Sequence, residues 1–239
     1  MRNLARTQDV HWQMPPGHAR IIPMGYGPIE LETQTVALAL ERKLPRGKRQ
    51  TYVWDLPDMG PCPFDTGGAP LAIIRPATRR IEWDNEARNP VPEYIDQIAG
   101  DLKDQGFAVV VIADLKYGQE WLAGNDLPPH NMAITRGELN IRQLMAAVRD
   151  AAVVVGPVGW IVPACIALKT PAFIVLGGNG GMNAPEIIID PRMDAGHIGF
   201  AIPERFCRCM DMRHACTKTI PDLAKQWQSW ARCCLPGFH

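Results

Sequence analysis

The sequence predicts an α/β protein on a doubly wound parallel sheet over residues 71–239, preceded by an irregular extension over residues 1–70. Three observations predict it. Continuous apolar runs of strand length recur: LAIIRP from Leu71, FAVVVIAD from Phe107, AVVVG from Ala152 and AFIVLG from Ala172. Strands buried on both faces read this way. Stretches of helical period lie between them, and glycine-bearing turns join strand to helix. Repeated strand–helix units of this size give a Rossmann-like sheet.

The elements follow in order. Residues 1–70 hold the loop-forming segments MPPG, GYGP and PDMGPCPFDTGGAP, with a helix expected over Ile29–Leu44 and a short strand over Thr51–Asp55. After the strand at Leu71 comes a helix over Pro92–Gln105. Proline stands near its start, Ile95, Ile98 and Leu102 share one face, and Gly106 ends it. FAVVVIAD is followed by a short helix expected around Glu120 and a strand over Asn131–Thr135. Asn140 caps the next helix, with Ile141, Leu144, Met145 and Val148 at helical spacing. The strand AVVVG, a helix through Ala164, the strand AFIVLG and a short strand EIIID ending at Asp190 come next. A final helix over Pro221–Arg232 is expected to pack back on the body.

Composition sets bounds. The 239 residues are 46% apolar and 21% charged, with 25 basic and 25 acidic side chains. A formal net charge of zero gives no global attraction for nucleic acid or anionic membrane. No run approaches the roughly 20 apolar residues of a membrane span. Arg2 and Arg6 precede no apolar stretch, so no signal peptide is read and a cytoplasmic location is expected. Seven cysteines, five of them after position 205, read as metal ligands or packed thiols rather than disulfides in that compartment.

Candidate chemistry gathers at one sheet edge. The turn Gly156–Trp160 joins a strand to a helix N-terminus, where free N–H groups and the helix dipole attract phosphate. Gly156 and Gly159 would let a ligand approach; the alternative is a tight turn with no ligand. In GGNGGMNAP, over residues 177–185, four glycines in five positions are read as excluding helix and strand. There Gly177 and Gly178 would sit close to a ligand, while Asn179 and Asn183 offer amides to sugar hydroxyls. The alternative is a flexible surface loop. Arg75, Arg79 and Arg80 follow the first strand, with Glu82, Trp83 and Arg88 in the loop behind them. Arginines here suit a diphosphate; solvated surface charge is the alternative. Near the C-terminus, Cys207, Cys209, His214 and Cys216 supply four ligands suited to a structural, tetrahedral zinc. Packed thiols, or a disulfide formed in air, are the alternative. Asp55, Asp58, Asp65, Glu82, Asp84 and Glu138 are candidate general bases, and His11 and His18 flank Trp12 in the extension.

These residues resemble a known family. GELNIRQLMAAVRDAAVVVG resembles its glycine, Leu-rich helix and a-x-l-v-V-G strand; ACIALKTPAFIVLGG resembles its A-A-A-L-G-x-P-x-x-x-L-F-G; FCRCMDMRHACTKTIPDL resembles its cysteine-bearing tail ending in C-x-x-x-I. The order of elements from Leu71 to Leu223 is similar to the C-terminal, donor-binding half of the family 9 glycosyltransferases, the heptosyltransferase type with GT-B architecture. The resemblance implies a nucleotide-diphosphate sugar lying across Gly156, Gly159, Gly177 and Gly178, with Arg75 or Arg79 countering the leaving diphosphate. It implies transfer with inversion to an acceptor not identified by the sequence, a carboxylate base, and no metal required for catalysis. Where the family reads D-[ST]-G-x-x-H, this chain has Pro157, Val158 and Gly159, then Trp160 to Pro163, so both polar side chains are missing. The family's N-terminal lobe corresponds to only about 70 irregular residues. Completion of the site in a homo-oligomer, a different acceptor geometry, and binding of a sugar nucleotide without catalysis are the readings this leaves.

Overall fold

A computed structural model describes residues 25–44, 52 and 54–238. His11, Trp12 and His18 lie outside the described residues, as do Thr51 and Val53 of the expected first strand. Eight strands are present among the described residues: β1 (Leu71–Ile74), β2 (Thr78–Arg80), β3 (Ala108–Ile112), β4 (Glu120–Leu122), β5 (Met132–Ile134), β6 (Val153–Pro157), β7 (Ala172–Val175) and β8 (Ile198–Ala201). Six of them form one parallel sheet in the order β5-β3-β1-β6-β7-β8. Renumbered along the sheet strands alone, this is the 3-2-1-4-5-6 order of a doubly wound Rossmann sheet. The expected fold class holds.

The helices follow from local sequence. In α3 (Pro92–Asp104) proline occupies the first turn, where its missing N–H loses nothing, and Ile95, Ile98, Ala99 and Leu102 are buried along one stripe. Gly106 ends it with a φ of 84°, a conformation that disfavours side chains. Asn140 caps α4 (Ile141–Asp150) in a reciprocal box with Gln143, each side chain bonding the other's backbone N–H at 3.0 Å. The helix α5 (Ile161–Leu168) is apolar nearly all round and packs with α4 on one face of the sheet. On the other face lie α3 and α8 (Leu223–Cys234). Trp227 of α8 is fully buried, meets Phe173 edge-on at 5.2 Å and donates its Nε1–H to Asp101 at 2.5 Å.

Five local expectations need correction. The helix expected over Ile29–Leu44 is two, α1 (Pro28–Leu31) and α2 (Val36–Glu41), because Thr35 caps the second through Leu38 N–H and breaks the run. Residues 54–55 are not strand. Around Glu120 the chain is strand, pairing antiparallel with β2 while the Glu120 carboxylate is drawn inward by arginines. EIIID is not a strand: Pro185 starts the helical turn α7 (Pro185–Ile188), and β8 takes the sheet edge instead. The glycine segment also holds a helical turn, α6 (Gly180–Asn183), closed by Ala184 N–H on Gly180 C=O at 3.1 Å.

The N-terminal helices are clipped to the body by charge. Arg192 makes paired bonds to Asp190 at 2.7 and 2.8 Å and one to Glu41 of α2 at 2.8 Å. The Thr35 hydroxyl donates to Asp190 at 2.7 Å. The Arg192 guanidinium, helped by its own backbone N–H and by Thr35, holds the Asp190 carboxyl well below the usual carboxylate range. A group with a lowered folded pKa stabilises above its unfolded value, about 3.9, and that stabilisation drains away as pH falls toward the folded value. Protection of the amides over residues 28–41, taken against their intrinsic exchange rates, should therefore fall relative to the sheet once the pH drops below about 4. Asp190→Asn should remove the pH dependence contributed by this group. Equal protection of these amides relative to the sheet at pH 7 and pH 3 would refute the clip.

Candidate functional site

The winding runs outward from β1 through β3 to β5, then returns beside β1 at β6. The connections after β1 and β6 therefore leave in opposite directions, opening a crevice beyond their carboxyl ends, the usual ligand position in such sheets. A cavity of about 740 Å³ lies there. Its wall includes Arg75, Arg80, Arg88, Asn89, Asn179 and Asn183, with the backbone turn from Pro157 to Ile161 at the start of α5. That backbone contributes the positive end of the helix dipole.

The cations are not equivalent. Arg75 ion-pairs with Glu120 at 2.5 Å and also bonds Thr78 at 3.0 Å. Arg80 faces the other oxygen of Glu120 at 3.1 Å and Glu82 at 3.5 Å. The Glu120 side chain is 1% exposed, so these two guanidiniums hold a buried carboxylate that would be strongly unfavourable alone. Arg88 differs. Among the described residues it makes no ion pair, and its Nε is buried without a hydrogen-bond partner. Burial lowers its pKa from the ordinary value; Tyr26 nearby acts against this, and the charge of Arg75 acts with it. Asn179 Nδ2 is likewise buried and unpartnered among the described residues. An anion with hydrogen-bond acceptors satisfies such groups.

The structure separates the eight expected ligand residues into two sets. Arg75, Gly159, Asn179 and Asn183 line the cavity. Arg79 is turned away in a paired ion bridge to Asp84, both bonds 2.8 Å. The other three glycines meet protein on the face where a side chain would be. A Cβ on Gly156 would lie 2.7 Å from Arg75 O, one on Gly177 2.3 Å from Asn89 O, and one on Gly178 2.3 Å from Cys216 Sγ. Arg88 was legible only as one member of a loop. No local pattern singles it out, because its role comes from the return of residues 84–89 to the sheet edge.

The C-terminal cysteines form the back of this wall. Gly180 and Gly181 donate to the carbonyls of Cys207 and Cys209 at 2.7 and 3.1 Å, and Gly178 donates to Ala87 O at 2.7 Å. Cys207, Cys209, His214 and Cys216 bring their ligand atoms within 4.8 Å of one another. Cys209 and Cys216 sulfurs are 3.5 Å apart, and His214 Nδ1 is 3.3 Å from Cys216 Sγ and 3.5 Å from Cys207 Sγ. Sulfur–sulfur edges of a tetrahedron with zinc–sulfur bonds of about 2.3 Å would measure roughly 3.8 Å, so the donor set fits a metal. Hydrogen bonding from the Cys209 N–H lowers the Cys207 thiol, whereas burial and its thiol neighbours push Cys209 up to about 11.

No protein-family model matches the sequence, and no curated protein matches it significantly. Solved structures do. The iron-containing dodecameric glycosyltransferase TibC of enterotoxigenic E. coli aligns over 70% of this chain and 46% of its own, with 18% identity and a TM-score of 0.50. The chain shares the fold of part of this glycosyltransferase. A structure of TibC with ADP-D-beta-D-heptose aligns over 74% of this chain and 48% of its own, at 14% identity and TM-score 0.44. The ADP-heptose LPS heptosyltransferase II of E. coli aligns over 69% and 47%, at 12% identity and TM-score 0.45. The chain thus spans about half the length of the structures it matches. Among the described residues no helix is long and apolar enough to cross a membrane.

Proposed function

We propose that the chain binds a nucleotide-diphosphate sugar in the switch-point cavity, as the donor half of a glycosyltransferase does. One observation carries this reading: the enclosed Arg88 guanidinium, without an acidic partner among the described residues, on the wall of a cavity at the carboxyl edge of a parallel sheet. The diphosphate would lie against Arg88 and the start of α5 near Gly159, with Arg75 beside it. Asn179 and Asn183 would take sugar or ribose hydroxyls. At a hundredfold excess over Kd, a true ligand stabilises the protein by about 2.7 kcal/mol, a rise in Tm of roughly 5–10 °C for a chain of this size. A thermal-shift screen of nucleotide sugars tests this. The shift should vanish in Arg88→Gln and persist in Arg79→Gln, whose charge is spent on Asp84. No shift with any nucleotide sugar, or an equal shift in Arg88→Gln, refutes the reading.

Transfer of the sugar to an acceptor is the fuller form of this reading. A second reading, binding without transfer, is favoured by one observation: among the described residues no carboxylate lines the cavity. Of the candidate bases, Asp84 is held by Arg79, while Asp58 and Asp65 accept the N–H of Gly60 and Gly67 in local turns. Donor consumption across an acceptor panel separates the two readings.

For the cysteine cluster, we infer one tetrahedral metal ion with a structural role. Zinc suits three thiolates and an imidazole. Iron is the alternative, because such a sulfur-rich tetrahedral set also accepts it and the structurally similar TibC is described as iron-containing.

A further inference from the structure

A second cavity, about 540 Å³, opens beside the polar one and is built differently. Val36, Ala37 and Leu40 of α2 face Val162, Pro163 and Ile166 of α5 across it. Both triplets have the spacing i, i+1, i+4, which places each on one side of its helix. Most of the remaining wall is apolar or aromatic. Two polar side chains on it, Glu41 and Tyr52, are engaged with Arg192 at 2.8 and 3.0 Å. The other three, Tyr26, Arg88 and Asn183, stand where this groove meets the polar cavity, and Val158, Gly159 and Trp160 also belong to both walls. A cation with no acidic partner among the described residues thus sits at the mouth of an apolar channel.

We infer that the groove takes the chain of an amphiphile whose anionic, phosphate-bearing head is held at Arg88, in competition with the diphosphate of a sugar nucleotide. The two halves of the ligand answer the two halves of the wall. A nucleobase or a free sugar would leave its hydrogen-bonding groups unpaired in such a groove, which is unfavourable; an alkyl chain leaves none. The inference rests on the sugar-nucleotide reading only for placing Arg88 in a ligand site.

Binding of inorganic phosphate, butyl phosphate, octyl phosphate and neutral octyl glucoside, each below its micelle concentration, tests it by titration calorimetry. A fully buried methylene contributes roughly fourfold in affinity, so four added methylenes in a partly open groove should tighten octyl over butyl phosphate by about tenfold to a hundredfold. Octyl glucoside should bind at least about tenfold more weakly than octyl phosphate, the loss expected for one charge-assisted contact. Leu40→Asp should abolish the gain with chain length, and Arg88→Gln should abolish the preference for phosphate over glucoside, with melting curves confirming folded variants. Equal affinity for butyl and octyl phosphate overturns the inference, as does equal affinity for the two octyl compounds. If octyl phosphate fails while nucleotide sugars still raise Tm, this inference alone falls; if both fail, the sugar-nucleotide reading falls with it.

Discussion

Protein purified without oxygen should carry one metal ion per chain, and Cys209→Ser and His214→Ala should carry none. The four ligand atoms already lie within 4.8 Å of one another, so little rearrangement separates the cluster from a tetrahedral site. The consequence should extend beyond the loop. Gly180 and Gly181 donate to the carbonyls of Cys207 and Cys209, and Asn179, just before them, is fully buried in a left-handed conformation with a φ of 55°. A non-glycine residue in that conformation persists only where its surroundings hold it. A metal present at a hundred times its Kd stabilises the bound state by about 2.7 kcal/mol. Stripping it should therefore raise amide exchange over residues 177–183 by about a hundredfold, since each 1.4 kcal/mol is about tenfold. The sheet should stay protected. Gly178→Ala is the sharper variant: all four ligands remain, yet its methyl would lie 2.3 Å from Cys216 Sγ, so metal content should fall. Full metal occupancy in Gly178→Ala, or unchanged exchange after stripping, would show that the cluster and the glycine turn are independent.

Trp227→Ala should lower the melting temperature by roughly 10 °C. The indole is 2% exposed and packs against Phe173, Trp230 and Phe238 at centroid distances of 5.2, 5.7 and 5.5 Å. Truncating a buried tryptophan to alanine costs about 3–5 kcal/mol, and each kcal/mol moves Tm by about 2–4 °C in a domain of this size. Trp227→Phe keeps most of the buried area but leaves Asp101 without its indole donor, so a loss nearer 1 kcal/mol is expected. Thermal melts of the two variants check both numbers. A shift below about 3 °C for Trp227→Ala would mean that α8 is not part of the cooperative core.

The long apolar strands and the stripe of α3 were legible because burial on both faces, or along one face, writes itself into consecutive residues. Glu120 was misread because its neighbours carry no apolar alternation; the strand forms there because β2 lies alongside and Arg75 and Arg80 need a carboxylate. EIIID looked like a strand by composition, yet Pro185 begins a helical turn and β8, only four residues long and interrupted by Gly199, takes the edge. The glycines of residues 177–181 were legible as places of close approach. The approaching group in this structure is protein, with Asn89 and Cys216 in the space a side chain would fill.

By itself the sequence determined the parallel sheet, the edge at which the polar cavity opens, and the four residues of the cysteine cluster. Periodicity and spacing are local properties, and each of these rests on them. Only the tertiary structure decided which of the arginines is uncompensated, which glycines face space rather than protein, and that an apolar groove adjoins the polar cavity. Those depend on where chain segments distant in sequence come to lie: Glu120 neutralises Arg75 across 45 residues, while the return of residues 84–89 leaves Arg88 enclosed without an acidic partner among the described residues.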